Sequence, residues 1–465
     1  MQLAAAFSFG GNMIHRFSYR DVSVVMDLGS SAIHVVDPLV YELLENNHDY
    51  KSYDRRLEER YSEVEINEAI EEIDELVDSG LLFADDKTES LFKTHSMTRQ
   101  IKAMCLHVAH DCNLRCEYCF ASTGAYDDHR EIMDLETGKK ALRFLVENSG
   151  SRYHLEVDFF GGEPLMNWEV VKELVSYGRS LEKTNNKRFR FTLTTNGLLL
   201  DDEKTEFLNQ HMDNVVLSLD GRKETNDHLR KTISGKGSYE TIVPKFQDFA
   251  KKRGDRQYYI RGTFTHYHLD FSEDIKHFRD LGFKELSMEP VVSEPGLPYT
   301  LEEGDLPVIF KEYEKLADDM LERYKTEDDY RFFHYEINLE GGPCAIKKAS
   351  GCGAGSDYIA VTPKGEIYPC HQFVGIKDFE LGTLDQGIIR PDIQGEFSAL
   401  SVFNKEACKS CWAKYYCSGG CHANAYNFNK DLKVPYELGC ELERKRVEMA
   451  IYLLIKKRER DDQAA

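Results

Sequence analysis

Between residues 100 and 291 short apolar runs and amphipathic stretches take turns along the chain. Ile101–Val108, Leu155–Phe160, Phe189–Thr194, Val215–Leu219, Tyr258–Phe264 and Glu285–Val291 have the length and composition of buried strands. Leu135–Asn148 and the stretches near 168–183, 202–211, 238–253 and 271–281 read as helices. Strands alternating with helices specify an α/β fold with a parallel sheet, expected here to curl into a partial (β/α)6 barrel of the TIM type. In such barrels reactive side chains gather at the C-terminal ends of the strands.

The residues at those ends are chemically distinctive. After the first strand comes Cys112-Asn-Leu-Arg-Cys116-Glu-Tyr118-Cys119, a CxxxCxxC loop. Three thiolates so spaced can hold three irons of a four-iron cluster and leave the fourth without a protein ligand. Four cysteines suit a structural or electron-transfer cluster, whereas an open metal position suits chemistry. The competing reading is three buried or zinc-binding cysteines. Gly161-Gly162-Glu163-Pro164 follows the second strand, where paired glycines permit close backbone approach and Glu163 can accept from an ammonium group. Thr195 ends the third strand, Ser218 and Asp220 the fourth, and Glu289 the sixth. Arg230 lies just beyond the fourth and can grip a carboxylate in a bidentate fork. Turn and salt-bridge roles are the alternatives for these residues.

Twelve cysteines occur among 465 residues, and their placement is uneven. None precedes Cys105 and none falls between 120 and 343, so two cysteine-rich regions flank a cysteine-free middle. With no signal-peptide pattern and no apolar run of membrane length, the cysteines point to metal rather than disulfides. A soluble, cytoplasmic protein is expected, with no membrane partner. The formal net charge of −22 argues against a nucleic-acid partner, since phosphate binding wants a basic surface.

The first ninety residues read as a separate module. Met13–Tyr19, Val22–Met26 and Ala32–Val36 form three short strands, Asp37-Pro38 opens a helix over 39–45, and residues 65–79 form an amphipathic helix. Three strands followed by helices are winged-helix-like. The helix Asn67-Glu-Ala-Ile-Glu-Glu-Ile-Asp-Glu75 is acidic, the wrong sign for DNA. Residues 84–99 read as a charged linker.

Taken together, the cysteine triad, Gly161-Gly162-Glu163-Pro164 and the strand pattern resemble the radical S-adenosylmethionine (SAM) enzymes. The resemblance implies that SAM chelates the open iron through its amino and carboxylate groups. It also implies that Tyr118 packs near adenine and that Gly161, Gly162, Glu163 and Pro164 bind the methionine amino group. Ser218, Asp220, Arg230, Thr195 and Glu289 are then candidates for the ribose and carboxylate. Downstream, Cys352, Cys370, Cys408, Cys411, Cys417, Cys421 and Cys440 are similar to the seven-cysteine SPASM extension, and Cys344 supplies an eighth. By resemblance Cys344, Cys352, Cys370 and Cys421 surround a first auxiliary cluster. Cys408, Cys411, Cys417 and Cys440 surround a second, and zinc is the rival occupant. Three [4Fe-4S] clusters and SAM are thus the implied cofactors, with Cys105 left over.

Within that family the runs around Cys112, Gly161 and Thr194, together with Tyr368-Pro-Cys-His-Gln-Phe-Val-Gly375 and Cys411-Trp-Ala-Lys-Tyr-Tyr-Cys-Ser-Gly-Gly-Cys421, look like the maturases of cysteine-rich SCIFF or ranthipeptide precursors. Sulfatase maturases usually carry an aspartate base directly after the cysteine matching Cys370, and here that position is His371. The resemblance implies a leader-peptide recognition domain over 1–90, a radical SAM barrel over 100–325, a SPASM domain over 335–445 and a C-terminal helix over 446–465. It further implies a cysteine-containing precursor peptide as substrate and an electron donor such as flavodoxin or ferredoxin. In the implied reaction a 5′-deoxyadenosyl radical takes a hydrogen from an acceptor carbon, and a peptide cysteine sulfur bonds there. Carbon–carbon crosslinking, formylglycine formation and a non-enzymatic peptide-binding redox protein are the alternatives.

Overall fold

Three antiparallel strands open the chain: β1 (Ile14–Tyr19), β2 (Val22–Asp27) and β3 (Ile33–Val36), in the order β1-β2-β3. The computed structural model describes residues 14–94, 100–126, 130–337 and 345–464. Asp37 caps the helix Pro38–Leu43 by accepting from the Val40 amide, and a Ser62/Glu65 capping box starts the helix Glu63–Asp78. The two faces of the small sheet serve different cores. Ile14 and Val25 pack with Leu39, Val40, Ile66 and Ile73 of the module's own helices. Phe17, Val22, Val24 and Met26 belong instead to the central core of the whole molecule. Side-chain alternation in a strand makes this double duty possible.

The central sheet is built around β4 (Ala103–His110). The hairpin-sized strands β5 (Leu114–Cys116) and β6 (Glu131–Ile132) follow it, and then β7 (His154–Gly161), β8 (Arg188–Thr195) and β9 (Asn214–Ser218). Next come β10 (Arg230–Thr232), β11 (Tyr259–Phe264) and β12 (Glu285–Pro290). Strands β4, β7, β8, β9, β11 and β12 lie side by side in that order and pair in parallel. The expected six-strand parallel α/β core is therefore present, and the tips of β7, β8, β9, β11 and β12 and the loop after β4 border one cavity, so the sheet is curved around it. Helices Leu135–Asn148, Trp168–Asn185, Asp202–His211, Tyr239–Arg253 and Phe271–Asp280 occupy the connections close to where their apolar spacing puts them.

Three expectations need correction. The sheet does not stop at six strands: β13 (Arg331–Phe332) pairs in parallel with β12, and β14 (Tyr358–Val361) pairs in parallel with β4 at the other edge. From β14 the sheet continues antiparallel through β15 (Glu366–Tyr368), β16 (Gly382–Thr383) and β17 (Gly387–Ile388). The charged segment 84–99 is more than a linker. Thr88–Thr94 is helical, and Asp86 pairs with Lys414 at 3.1 Å, fastening this segment to the C-terminal region. The last helix begins at Glu437 rather than 446 and so carries Cys440 on its first turn. It packs against Leu306–Arg323, a helix not among those expected from the sequence, and against the first strand through His15–Glu448 at 3.0 Å. No helix among the described residues is long and apolar enough to cross a membrane.

Candidate active site

A cavity of about 210 Å³ opens at the C-terminal ends of the parallel strands. Cys112, Cys116 and Cys119 all line it. The loop that carries them is held from two sides. Short strand β5, ending at Cys116, pairs antiparallel with β10, placing Arg230 directly opposite Cys116. From the other side Asn196, at the tip of β8, donates to Asn113 Oδ1 at 2.7 Å and approaches Cys112 Sγ at 3.5 Å. The Leu114 amide also points at Cys112 Sγ, 3.4 Å away.

The glycine pair works on this loop. The Gly162 amide donates to the Ala109 carbonyl at 2.7 Å and the Glu163 amide to the Asp111 carbonyl at 2.8 Å. Gly161 adopts φ +119°, and a Cβ there would lie 2.2 Å from the Ala109 oxygen. Both glycines border the cavity, but the close approach they permit is to the backbone of the cysteine loop.

Burial pushes the Cys112 thiol up to about 12, with Glu163 adding to the effect, and burial raises Cys116 to about 11 against the pull of Arg230. Both are neutral thiols near pH 7, so metal binding has to displace their protons. Among the described residues no three histidine, cysteine, aspartate or glutamate side chains are gathered to hold a single metal ion, as a zinc cage requires.

The other expected residues divide between the cavity wall and the layer behind it. Tyr118, Gly161, Gly162, Thr195, Ser218, Arg230 and Glu289 line the cavity, whereas Glu163, Pro164 and Asp220 do not. Glu163 is 1% exposed and accepts from the Leu165 amide (3.0 Å), the Thr195 hydroxyl (2.7 Å) and the Asn196 amide (2.8 Å). A carboxylate has about four acceptor positions, so an ammonium group can still be served. Burial nonetheless raises its pKa, against those three hydrogen bonds. Asp220 is fully buried behind Tyr118, whose hydroxyl donates to it at 2.7 Å and accepts from Arg230 at 2.7 Å. Asp220 therefore acts on Tyr118 and Arg230 from behind.

Arg230 lines the cavity, and its Nε is buried with no hydrogen-bond partner, a costly state for a donor. Its guanidinium could grip a carboxylate placed in the cavity. Arg230 and the thiol-only donor set on the cavity wall together fit an iron–sulfur cluster with SAM beside it. Glu289 is engaged otherwise: burial alone would raise its carboxyl, but His334 at 3.3 Å and Arg261 at 3.7 Å hold it well below the usual carboxylate range.

Residues not anticipated from the motifs also line the cavity: Phe160, Asn196, Arg261, Thr263, His371 and Gln372. An arginine on a parallel core strand was the available signal for Arg261. His371 donates or accepts at Tyr358 Oη, 3.0 Å away, and burial lowers it to about 4, leaving a neutral imidazole. Deeper, Asp158 has a buried Oδ1 without a partner, and burial raises it to about 7.

The C-terminal cysteines form two groups by mutual electrostatic influence: Cys352, Cys370 and Cys421, and Cys408, Cys411, Cys417 and Cys440. Cys344 lies outside the described residues. All eleven described cysteines are free thiols. Cys105 is buried on β4, opposite Asp158 of β7.

Residues 106–288 match the family model described as Radical SAM superfamily. Over 424 residues the chain is 21% identical to the radical SAM cyclopropyl synthase TigE of Paramaledivibacter caminithermalis, covering 83% of each. It is 27% identical over 330 residues to a cysteine-type anaerobic sulfatase-maturating enzyme of Clostridium perfringens, covering 67% of this chain and 85% of that one. The solved structure of Streptococcus suis SuiB bound to precursor peptide SuiA aligns with a TM-score of 0.55 at 18% identity, covering 92% of this chain and 100% of that one. At that identity the likeness is one of fold.

Proposed function

We propose that this chain, a radical SAM protein through its residues 106–288, is a peptide maturase that forms thioether crosslinks in a cysteine-containing precursor. The observation that carries the radical SAM chemistry is the three-thiol loop lining one cavity together with Arg230, which pairs with Cys116 in the β5–β10 ladder. Its relatives support the peptide: one is named for maturing sulfatases, and the SuiB structure holds a precursor peptide. The cysteine runs of the SCIFF and ranthipeptide type favour sulfur as the bonding atom. His371 stands where the sulfatase-maturase pattern has an aspartate, which speaks against formylglycine formation.

When bound, the cluster and SAM supply a 5′-deoxyadenosyl radical. The chain's own part is to bind, orient and shield. Cys112, Cys116 and Cys119 would hold three irons, Glu163 the methionine ammonium and Arg230 its carboxylate. Tyr118, pinned between Asp220 and Arg230, gives the adenine side of the cavity a fixed wall. Phe160 and Phe120 flank His371 with ring centroids 5.1 and 5.6 Å away, keeping that side apolar and limiting water. Cys352, Cys370 and Cys421, and separately Cys408, Cys411, Cys417 and Cys440, would hold two further clusters, which would supply electron-transfer chemistry. Co-expression with a cysteine-bearing precursor followed by mass spectrometry tests the reaction. The expected product is two hydrogens lighter per crosslink and has lost one alkylatable cysteine. Hydrogen loss with every cysteine still alkylatable would mean carbon–carbon crosslinking instead.

The N-terminal module would bind the leader. Among the described residues β3 pairs on one side only, and its Val35 is 55% exposed. An extended peptide can add to such an edge. Exposed Glu68, Glu71, Glu72 and Glu75 on the neighbouring helix favour a basic leader. Val35→Arg should weaken leader affinity about tenfold, measured by fluorescence anisotropy, and leave peptide-free SAM cleavage unchanged. Equal affinity would reduce the module to a cap.

A further inference from the structure

Lys405 is 0% exposed, yet it is a lysine. It precedes the short helix Glu406–Lys409 that carries Cys408. Its ammonium donates to the Gly419 carbonyl at 2.7 Å and to His422 Nδ1 at 3.3 Å. Neither partner is an anion, and no carboxylate pairs with it among the described residues. Burying an ammonium without a counter-ion is among the costliest arrangements a fold can hold. The anion must therefore come from what surrounds it. The Cys408 amide donates to the Lys405 carbonyl at 3.0 Å, Gly419 stands two residues from both Cys417 and Cys421, and His422 directly follows Cys421. Cys421 belongs to one C-terminal thiol group and Cys408 and Cys417 to the second, so the contacts of Lys405 fall on the chain that joins the two.

We propose that Lys405 is the shared counter-ion of two anionic iron–sulfur sites and sets how readily they accept an electron. The inference rests on the auxiliary-cluster reading above. Four thiolates around a [4Fe-4S] core in its 2+ state leave a net charge of two minus, and one-electron reduction makes it three minus. A fixed cation nearby favours the more negative form and raises the reduction potential. Lys405 exchanges neither electron nor proton; the electron comes from the oxidised substrate in turnover and from dithionite in the test. The two neutral hydrogen bonds hold the ammonium in place, which makes it a positioning charge rather than a catalytic group. Gly419 contributes by its backbone: its φ of +91° is a conformation that favours glycine, and it aims the carbonyl at Nζ.

Redox titration of the reconstituted full-length protein, followed by electron paramagnetic resonance, tests this. The SAM-binding cluster is told apart by the change its signal undergoes on adding SAM. Lys405→Met should disfavour reduction of at least one auxiliary cluster about tenfold, a shift of about 59 mV to lower potential. Lys405→Arg, which keeps the charge, should stay near the parent, and the SAM-responsive signal should not move. Unchanged auxiliary potentials in Lys405→Met at full iron content would overturn the proposal. Should Lys405→Met and Lys405→Gln lose auxiliary iron, retention by Lys405→Arg supports the counter-ion role. Loss in Lys405→Arg as well would make it a packing residue. A parent protein with only the SAM-responsive cluster would overturn the auxiliary-cluster reading itself, a separate failure visible before any variant is made.

Discussion

Replacing Cys112, Cys116 and Cys119 together with alanine is expected to abolish 5′-deoxyadenosine production from SAM under dithionite, read by liquid chromatography. The three thiols are the proposed metal donors, and among the described residues no other cysteine lines the cavity. Each is held by a different device: Cys112 by Asn196 and the Leu114 amide, Cys116 by the β5–β10 ladder, Cys119 by its amide bond to the Cys116 carbonyl at 3.3 Å. Cys105→Ala is the matched control. That residue is buried in β4 away from the cavity lining, so it should cost about 1 kcal/mol of packing and leave SAM cleavage intact. Persistent cleavage in the triple variant would remove the radical SAM assignment of this site.

Gly162→Ala is expected to have nearly as large an effect without touching a ligand. Its Cβ would lie 2.2 Å from the Asp111 carbonyl oxygen and 2.6 Å from the carbonyl carbon, and 3.0 Å from the Gly124 carbonyl oxygen. All of these are backbone atoms, so no side chain can swing aside. Either the loop bearing Cys112 moves or the tip of β7 does. Overpacking of this kind costs about 1–3 kcal/mol, but the functional loss should exceed the stability loss, since the thiols move with the loop. Iron and sulfide analysis should show one cluster's worth missing, with the C-terminal thiol groups still loaded. SAM cleavage should fall by about a hundredfold or more, as misplacement by an ångström commonly does. A fully loaded, fully active variant would show that the loop tolerates displacement and that the glycines serve only the ligand.

Local chemistry was readable in the chain wherever one element decided it. Apolar spacing located Leu135–Asn148 and Asp202–His211, because a helix records its buried face every three or four residues. Strand-end motifs brought Cys112, Gly161, Thr195, Ser218 and Glu289 to one cavity, because a parallel sheet points its C-terminal ends the same way. What escaped was long-range pairing. Nothing local to Arg230 says that it will stand opposite Cys116, since β5 and β10 are three residues each and carry no periodicity. Nor does the sequence near Tyr358 announce a place beside β4. The inner role of Glu163 was hidden for another reason: its motif names a ligand, while its hydrogen bonds to Thr195 and Asn196 depend on how closely β7 and β8 lie. Nothing in the sequence around Lys405 sets it apart from a surface lysine, because its burial comes from tertiary packing.

The small N-terminal sheet has a practical consequence for anyone wishing to redirect this enzyme. It is not a detachable cassette. Phe17, Val24 and Met26 are part of the core that the catalytic sheet also uses, and each buried side chain of that kind is worth about 1.5–3 kcal/mol. Swapping in a foreign module would open the host's own interior. If the module binds the leader as proposed, retargeting by editing the outward residues of β3 and the acidic helix beside it leaves that shared face untouched.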